Sequence, residues 1–287
     1  MKDKTNTTPK RGAKDTVFRK VFPLPEYRLA LYKSLHPEDK TVTADDIKII
    51  SLENIVLNEP YNDLGMLARG KLLILIEAQS TWTINILMRL FLYAAATYQD
   101  YIKANGISLY GSKSEILPLP EFYVIYTGKD RDKKPEIISL AKDYFENPNA
   151  HIDLTAKVIK GKEKDVVWQY VMFTEVWNDS IKLYGRTREA AVHAINRCID
   201  EGFLSDFFTI YKKEVISDMD VLFDYDYNIK ALAKEAAREA AKESAILTTI
   251  KAYKKFSQTE EQTTSAIETE FGLSSAQAAE LVKANWN

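Results

Sequence analysis

The chain has a single cysteine, Cys198, so it holds no internal disulfide and no cysteine-based metal framework. Its three histidines, His36, His151 and His193, are scattered. None stands at a useful spacing from another metal-ligating residue, and all three read as structural. No apolar stretch is long enough to span a bilayer: the longest, Ile84 to Ala96, is interrupted by Arg89. The polar start, MKDKTNTTPKRGAKD, has no apolar signal core, which argues against that export route and for a cytoplasmic protein. A large excess of either charge is missing too. With 39 Lys+Arg against 41 Asp+Glu the net charge is −2, so the overall balance does not announce a nucleic-acid binder. No Gly-x-x-x-x-Gly-Lys-Ser/Thr, Gly-x-Gly-x-x-Gly or Gly-x-Ser-x-Gly occurs, which leaves phosphate-loop, dinucleotide and α/β-hydrolase readings without support.

What is present is an ordinary globular composition, 46% apolar and 28% charged over 287 residues, enough for one large domain or two smaller ones. Charge is uneven along it. Residues 1–20 hold seven Lys/Arg and two Asp, whereas 256–287 hold five Glu and one Lys. Residues 1–13 read as a basic arm, a solvated tail or a phosphate contact.

Phe18, Val21 and Phe22 predict a short helix from Asp15, ended near Pro23 and Pro25, and a second helix covers Glu26 to Leu35. Residues 47–57 read as a strand or a pair of short strands. Leu64–Ala68 and Leu72–Glu77, joined by Arg69-Gly70-Lys71, read as a β-hairpin. Thr81 or Thr83 caps a long helix reaching about Ala104, with Ile84, Leu87, Phe91 and Ala95 on its buried face. Residues 121–127 are a further strand, 165–173 another, and helices fill most of 174–218. A hairpin before the first long helix excludes a doubly wound array and predicts a mixed α/β layer.

From Ala231 to Ala245 the repeats KEAA, REAA and KESA predict a long helix, a connecting or self-associating element, supported by Glu235–Arg238 and Glu239–Lys242. Thr259-x-x-Gln262 and Ser274-x-x-Gln277 are capping boxes of two short helices, with Gly272 as the C-cap between them. Their length is that of a helix-turn-helix, but Lys283 is the second helix's only cation, which favours a small packing module over DNA reading. Aromatic residues crowd Phe203 to Tyr227, and the acids among them favour packing over base stacking.

The chemistry-bearing stretch is Pro60-Tyr61-Asn62-Asp63 followed, thirteen residues on, by Glu77-Ala78-Gln79. Residues i and i+2 of a strand share a face, so Glu77 and Gln79 stand together at the end of an apolar run. A buried carboxylate there needs a partner or a metal. The hairpin can bring Asp63 beside them, and two carboxylates on adjacent strands offer Mg²⁺ its preferred hard oxygen ligands. Gln79 can orient water or contact a phosphate. Blander readings stay open. Asp63 can be a turn residue, Glu77 and Gln79 a solvated strand end, and Asp15 an N-terminal helix cap. Arg89 can bind phosphate or pair with a carboxylate, and Tyr93 can be a core or a site residue.

Asp followed by (Asp/Glu)-x-Lys across a hairpin is the signature of the PD-(D/E)xK nucleases. The Glu-x-Gln form here resembles the recombination-promoting nuclease (Rpn), or YhgA-like putative transposase, family. Lys14-Asp15-Thr16-Val17-Phe18-Arg19-Lys20-Val21-Phe22 is similar to that family's opening Asp-x-x-Phe-Lys helix, and Arg89 with Tyr93 to its Arg-x-x-x-Tyr. Tyr184 to Thr187, Arg197 to Gly202 and Phe207 to Met219 are similar to its C-terminal helical part, so the resemblance covers roughly 14–225. The chain then divides into the arm 1–13, a nuclease-like domain 14–225, an Ala-rich helix 226–256 and a two-helix tail 257–287. The resemblance implies a restriction-endonuclease-like sheet flanked by helices, Mg²⁺- or Mn²⁺-dependent DNA cleavage and a link to recombination. Carried over, Asp63 and Glu77 are metal ligands, Gln79 replaces the usual Lys, and Asp15 is the acid of the first helix. An amide replaces the lysine's charge incompletely, so Lys71 or another nearby cation would have to help. Arg89 and Tyr93 are candidate substrate contacts. DNA is the expected partner, with self-association through the helical C-terminal region and no membrane. The competing class is a catalytically degenerate nuclease fold that binds DNA or assembles.

Overall fold

A computed structural model describes residues 12–50, 63–112 and 114–286; of Asp63 and of 224–232 it describes the backbone. The chain divides into two compact units, Met1–Phe223 and Asp224–Asn287.

The first unit is an α/β sandwich around a six-stranded mixed sheet. Two helices open it, α1 (Ala13–Val21) and α2 (Pro25–Leu35), separated by the Pro23–Pro25 break with Pro25 at the first helical position. Strands β1 (Ile47–Ile50), β2 (Asp63–Ala68) and β3 (Leu72–Gln79) follow, then helix α3 (Asn85–Ala104) and strand β4 (Leu119–Tyr126). The part of the 47–57 reading beyond Ile50 lies outside the described residues. Strands β5 (Ile137–Ser139) and β6 (Thr155–Ile159) complete the order β1-β2-β3-β4-β6-β5. β1–β2, β2–β3 and β5–β6 are antiparallel, while β3–β4 and β4–β6 are parallel. The β2–β3 hairpin turns through the three residues Arg69, Gly70 and Lys71, the first two with positive φ (49° and 65°), and the Lys71 N–H closes the turn on the Ala68 carbonyl at 3.0 Å. Arg69 is held in that strained geometry by Thr41 (2.9 Å) and Asp39 (3.4 Å).

The reading of 165–173 as a strand is corrected. These residues lie in helix α4 (Val166–Tyr184), begun by Asp165, whose side chain accepts the Trp168 N–H at 2.7 Å. Its β-branched and aromatic residues suggested a strand. Burial at 166, 167, 170, 171, 173, 174, 176 and 177 instead follows a helical face. β5 and β6 were not anticipated. They are short, and only the alternation of Ala156 and Val158 (buried) with Thr155 and Lys157 (exposed) marks β6.

The two faces of the sheet are covered differently. Ile74, Ile76, Ala78, Leu64, Met66, Tyr123 and Ile125 pack under α1, α2, α4 and α5 (Arg188–Glu201). There Phe18, Phe22 and Tyr170 form an aromatic triad with centroids 4.8–5.7 Å apart. Leu73, Leu75, Val124 and Tyr126 face the other way, against Ile86, Leu87, Leu90 and Tyr93 of α3.

Helix α6 runs from Ser205 to Lys255 and takes in the Ala-rich repeats. In the second unit Ile246, Ile250, Ile267, Ala278 and Val282 form a small core between the end of α6, α7 (Glu260–Phe271) and α8 (Ser275–Asn285). Both predicted capping boxes form, and Gly272 ends α7 in the left-handed region (φ 61°, ψ 42°). No helix among the described residues is long and apolar enough to cross a membrane.

Candidate active site

The site grows out of the alternation of β3. Leu73 and Leu75 belong to the α3-facing core, and Glu77 and Gln79 continue that face towards the C-terminal end of the strand. β3 is an inner strand. Asp63 of β2 stands directly opposite Glu77, while on the other side Glu77 registers with Val124 and Gln79 with Tyr126. Cross-strand partners share a face, so the hairpin sets Asp63 and Glu77 side by side.

Glu77 is 1% exposed, yet it ends an apolar strand. A carboxylate in that position is costly without a counter-charge. Arg89, the fifth residue of α3, supplies one: its guanidinium pairs with Glu77 Oε1. Glu77 Oε2 has no hydrogen-bond partner among the described residues. Nor do the two amide atoms of Gln79, although both are shielded from solvent. One helical face continues through Arg89, Tyr93 and Thr97. Tyr93 is 4% exposed and joins the α3 core, and the Thr97 hydroxyl is likewise buried without a described partner. This α3 face thus carries polar side chains among its hydrocarbon.

A rim follows the ends of β3 and β4. The Trp82 and Tyr126 rings meet edge-on at 5.2 Å, and Lys134 Nζ lies 5.0 Å from the Trp82 centroid and 5.7 Å from that of Tyr126. Lys134 pairs with Asp130 (2.6 Å), which also accepts the Tyr126 hydroxyl at 2.7 Å. Burial and that bond push the Tyr126 hydroxyl up to about 12, while Lys134 and Tyr126 hold Asp130 below the usual carboxylate range. A Cβ on Gly128 would come within 2.2 Å of the Tyr126 oxygen, so this corner requires glycine. Sequence reasoning missed the rim residues and Thr97. The aromatic Trp82, just past Glu77-Ala78-Gln79, was the available signal.

The other expected site residues are placed elsewhere. Lys71 sits in the exposed hairpin turn, at the opposite end of β3, about 20 Å from Glu77 at the usual strand rise. Asp15 accepts the Gly12 N–H at 2.8 Å at the start of α1, which packs on the opposite sheet face with Ile74 and Ile76. The structure therefore groups Glu77, Gln79, Arg89 and Tyr93 with the Asp63 backbone position, and does not bring Lys71 to them. Of the histidines, His36 pairs with Glu121 (2.9 Å), His193 bonds Ser180 (2.9 Å) and His151 is exposed.

Among the described residues no set of three or more His, Cys, Asp or Glu side chains stands together as a metal cage. A Mg²⁺ site needs no such cage, because one or two carboxylates with waters and a phosphate suffice. Glu77, in register with Asp63 and with a buried Oε2 that has no partner among the described residues, fits that donor set. In comparisons with known proteins the chain matches no family model, no curated protein and no solved structure.

Proposed function

We propose that the chain is a divalent-metal-dependent DNA endonuclease on a restriction-endonuclease-like core. The observation that carries this reading is the register that sets Asp63 opposite Glu77, whose Oε2 is buried without a described partner. The order of elements on the sequence, with Asp63 and Glu77-x-Gln79 across a hairpin and Arg89 and Tyr93 on the next helix, supports it through the family resemblance.

Asp63 and Glu77 would hold Mg²⁺ or Mn²⁺, and the bound ion would supply an activated water and charge stabilisation at the phosphoryl oxygen. Gln79 donates through its amide N–H to a phosphate oxygen, or accepts from the attacking water through its carbonyl. Arg89 offers a planar fork for a phosphate oxygen pair. Tyr93 and the apolar floor of Leu75 and Val124 limit water access from below. The alternative, a degenerate nuclease fold that only binds or assembles, rests on the neutral amide at position 79.

Nicking of supercoiled plasmid with Mg²⁺ or Mn²⁺ tests the reading. Cleavage should fall by about 100-fold or more in Glu77→Gln and in Asp63→Asn, the scale expected when a charge-stabilising group is lost. Metal-dependent cleavage that survives both substitutions would overturn the assignment. A Glu77-dependent metal site without cleavage would favour the degenerate alternative.

A further inference from the structure

We infer that Arg89 is an exchangeable counter-ion of Glu77, displaced by the metal, so that an anionic phosphodiester and the metal bind with positive coupling; this rests on the proposed metal site. Glu77 is almost wholly buried, so its charge must be balanced in every state of the protein. Arg89 balances it through Oε1. The two partners are not equally enclosed: Arg89 keeps 24% of its side chain exposed against 1% for Glu77. The Arg89 guanidinium therefore touches the buried carboxylate while part of its side chain stays open to solvent at the start of α3.

A divalent ion at Glu77 would meet the guanidinium charge on the same carboxylate, so the ion and Arg89 compete for it. Arg89 can leave only if another acceptor receives it. A phosphodiester at the mouth of the site does so, because guanidinium binds paired phosphate oxygens as well as carboxylate. The phosphate draws Arg89 outward, Glu77 becomes available to the ion, and by linkage the ion tightens phosphate binding equally.

The test is Mn²⁺ binding to the full chain, followed by electron paramagnetic resonance of free Mn²⁺. It is done alone and with a phosphorothioate-protected duplex that resists cleavage. The wild type should bind Mn²⁺ about 10-fold or more tightly with the duplex present, within the usual range of coupling. Arg89→Met should tighten Mn²⁺ binding without DNA, and the duplex should then add little. Arg89→Lys keeps the charge on the carboxylate but lacks the planar fork, so DNA-free Mn²⁺ affinity should stay near wild type while the coupling shrinks. It secures the test should Arg89→Met melt early by circular dichroism. A purely structural ion pair predicts the opposite: Arg89→Met leaves Mn²⁺ affinity unchanged or weaker, and that result would overturn the inference. Mn²⁺ binding that Glu77→Gln abolishes but DNA does not influence would sink the exchange alone. Mn²⁺ binding indifferent to Glu77→Gln would remove the metal site and the exchange together.

Discussion

β3 presents Ile74, Ile76 and Ala78 to one side of the sheet and Leu73, Leu75, Glu77 and Gln79 to the other. The first side meets α1, α2, α4 and α5 in an apolar core, with Phe18, Phe22 and Tyr170 packed ring edge to face beside it. The second begins the same way under α3 and then becomes polar within two residues of the strand end. The helices opposite show the same difference. α1 buries Ala13, Val17, Phe18 and Val21, whereas α3 sets Arg89, Tyr93 and Thr97 among its leucines. A strand buried on both faces needs no charge for stability, and burying one opposes folding unless it is compensated. The departure on one face is therefore where a role other than stability is to be sought.

The sharpest way to break this comparison is to change one residue on each side. Phe18→Ala should lower the unfolding free energy by about 4 kcal/mol, the scale of a large core truncation, and leave Mn²⁺ affinity unchanged below the melting transition. Glu77→Gln should behave conversely, with Mn²⁺ binding lost and thermal stability nearly retained. Denaturant melts with parallel Mn²⁺ titrations read both, and equal losses in both variants would show that the two faces are not separable. A smaller effect is expected at the rim. Gly128→Ala forces the Tyr126 hydroxyl from Asp130, with a cost of about 1–3 kcal/mol typical of overpacking, visible as a lowered melting temperature. The smallest effect concerns Cys198, on α5 in the apolar core, where burial pushes the thiol up to about 12. At pH 8 almost no thiolate forms, so a disulfide reagent should label the chain only in denaturant. Rapid labelling of the native protein would show that the α5 side opens.

Much of this architecture was legible because it is written locally. Thr259 with Gln262 and Ser274 with Gln277 close their boxes within one turn, and Gly272 adopts the conformation that residues with a Cβ resist. The hairpin was legible for the same reason: Arg69-Gly70 sets the turn, and the period of two then places Asp63 opposite Glu77. Residues 165–173 were misread because Val, Trp, Tyr and Phe suit a buried strand and a buried helix alike. The Asp165 cap decides between them, and its partner Trp168 gains meaning only once the helix exists. Tyr126 and Lys134, tied together by Asp130, were passed over because they meet Trp82 only when β3 and β4 lie side by side.

By itself, the sequence determined the elements whose signals are short-ranged: the proline-separated opening helices, the hairpin and its register, the capped helices of the second unit, and the pairing of Glu77 with Gln79 on one strand face. Only the tertiary structure decided which way the charges are answered. It set Arg89 against Glu77 by packing α3 on the face that carries that carboxylate, and it left Lys71 at the far end of the strand. The physical reason is that strand and turn periodicities act over a few residues. The balance of a buried charge depends on whichever cation the fold brings within reach.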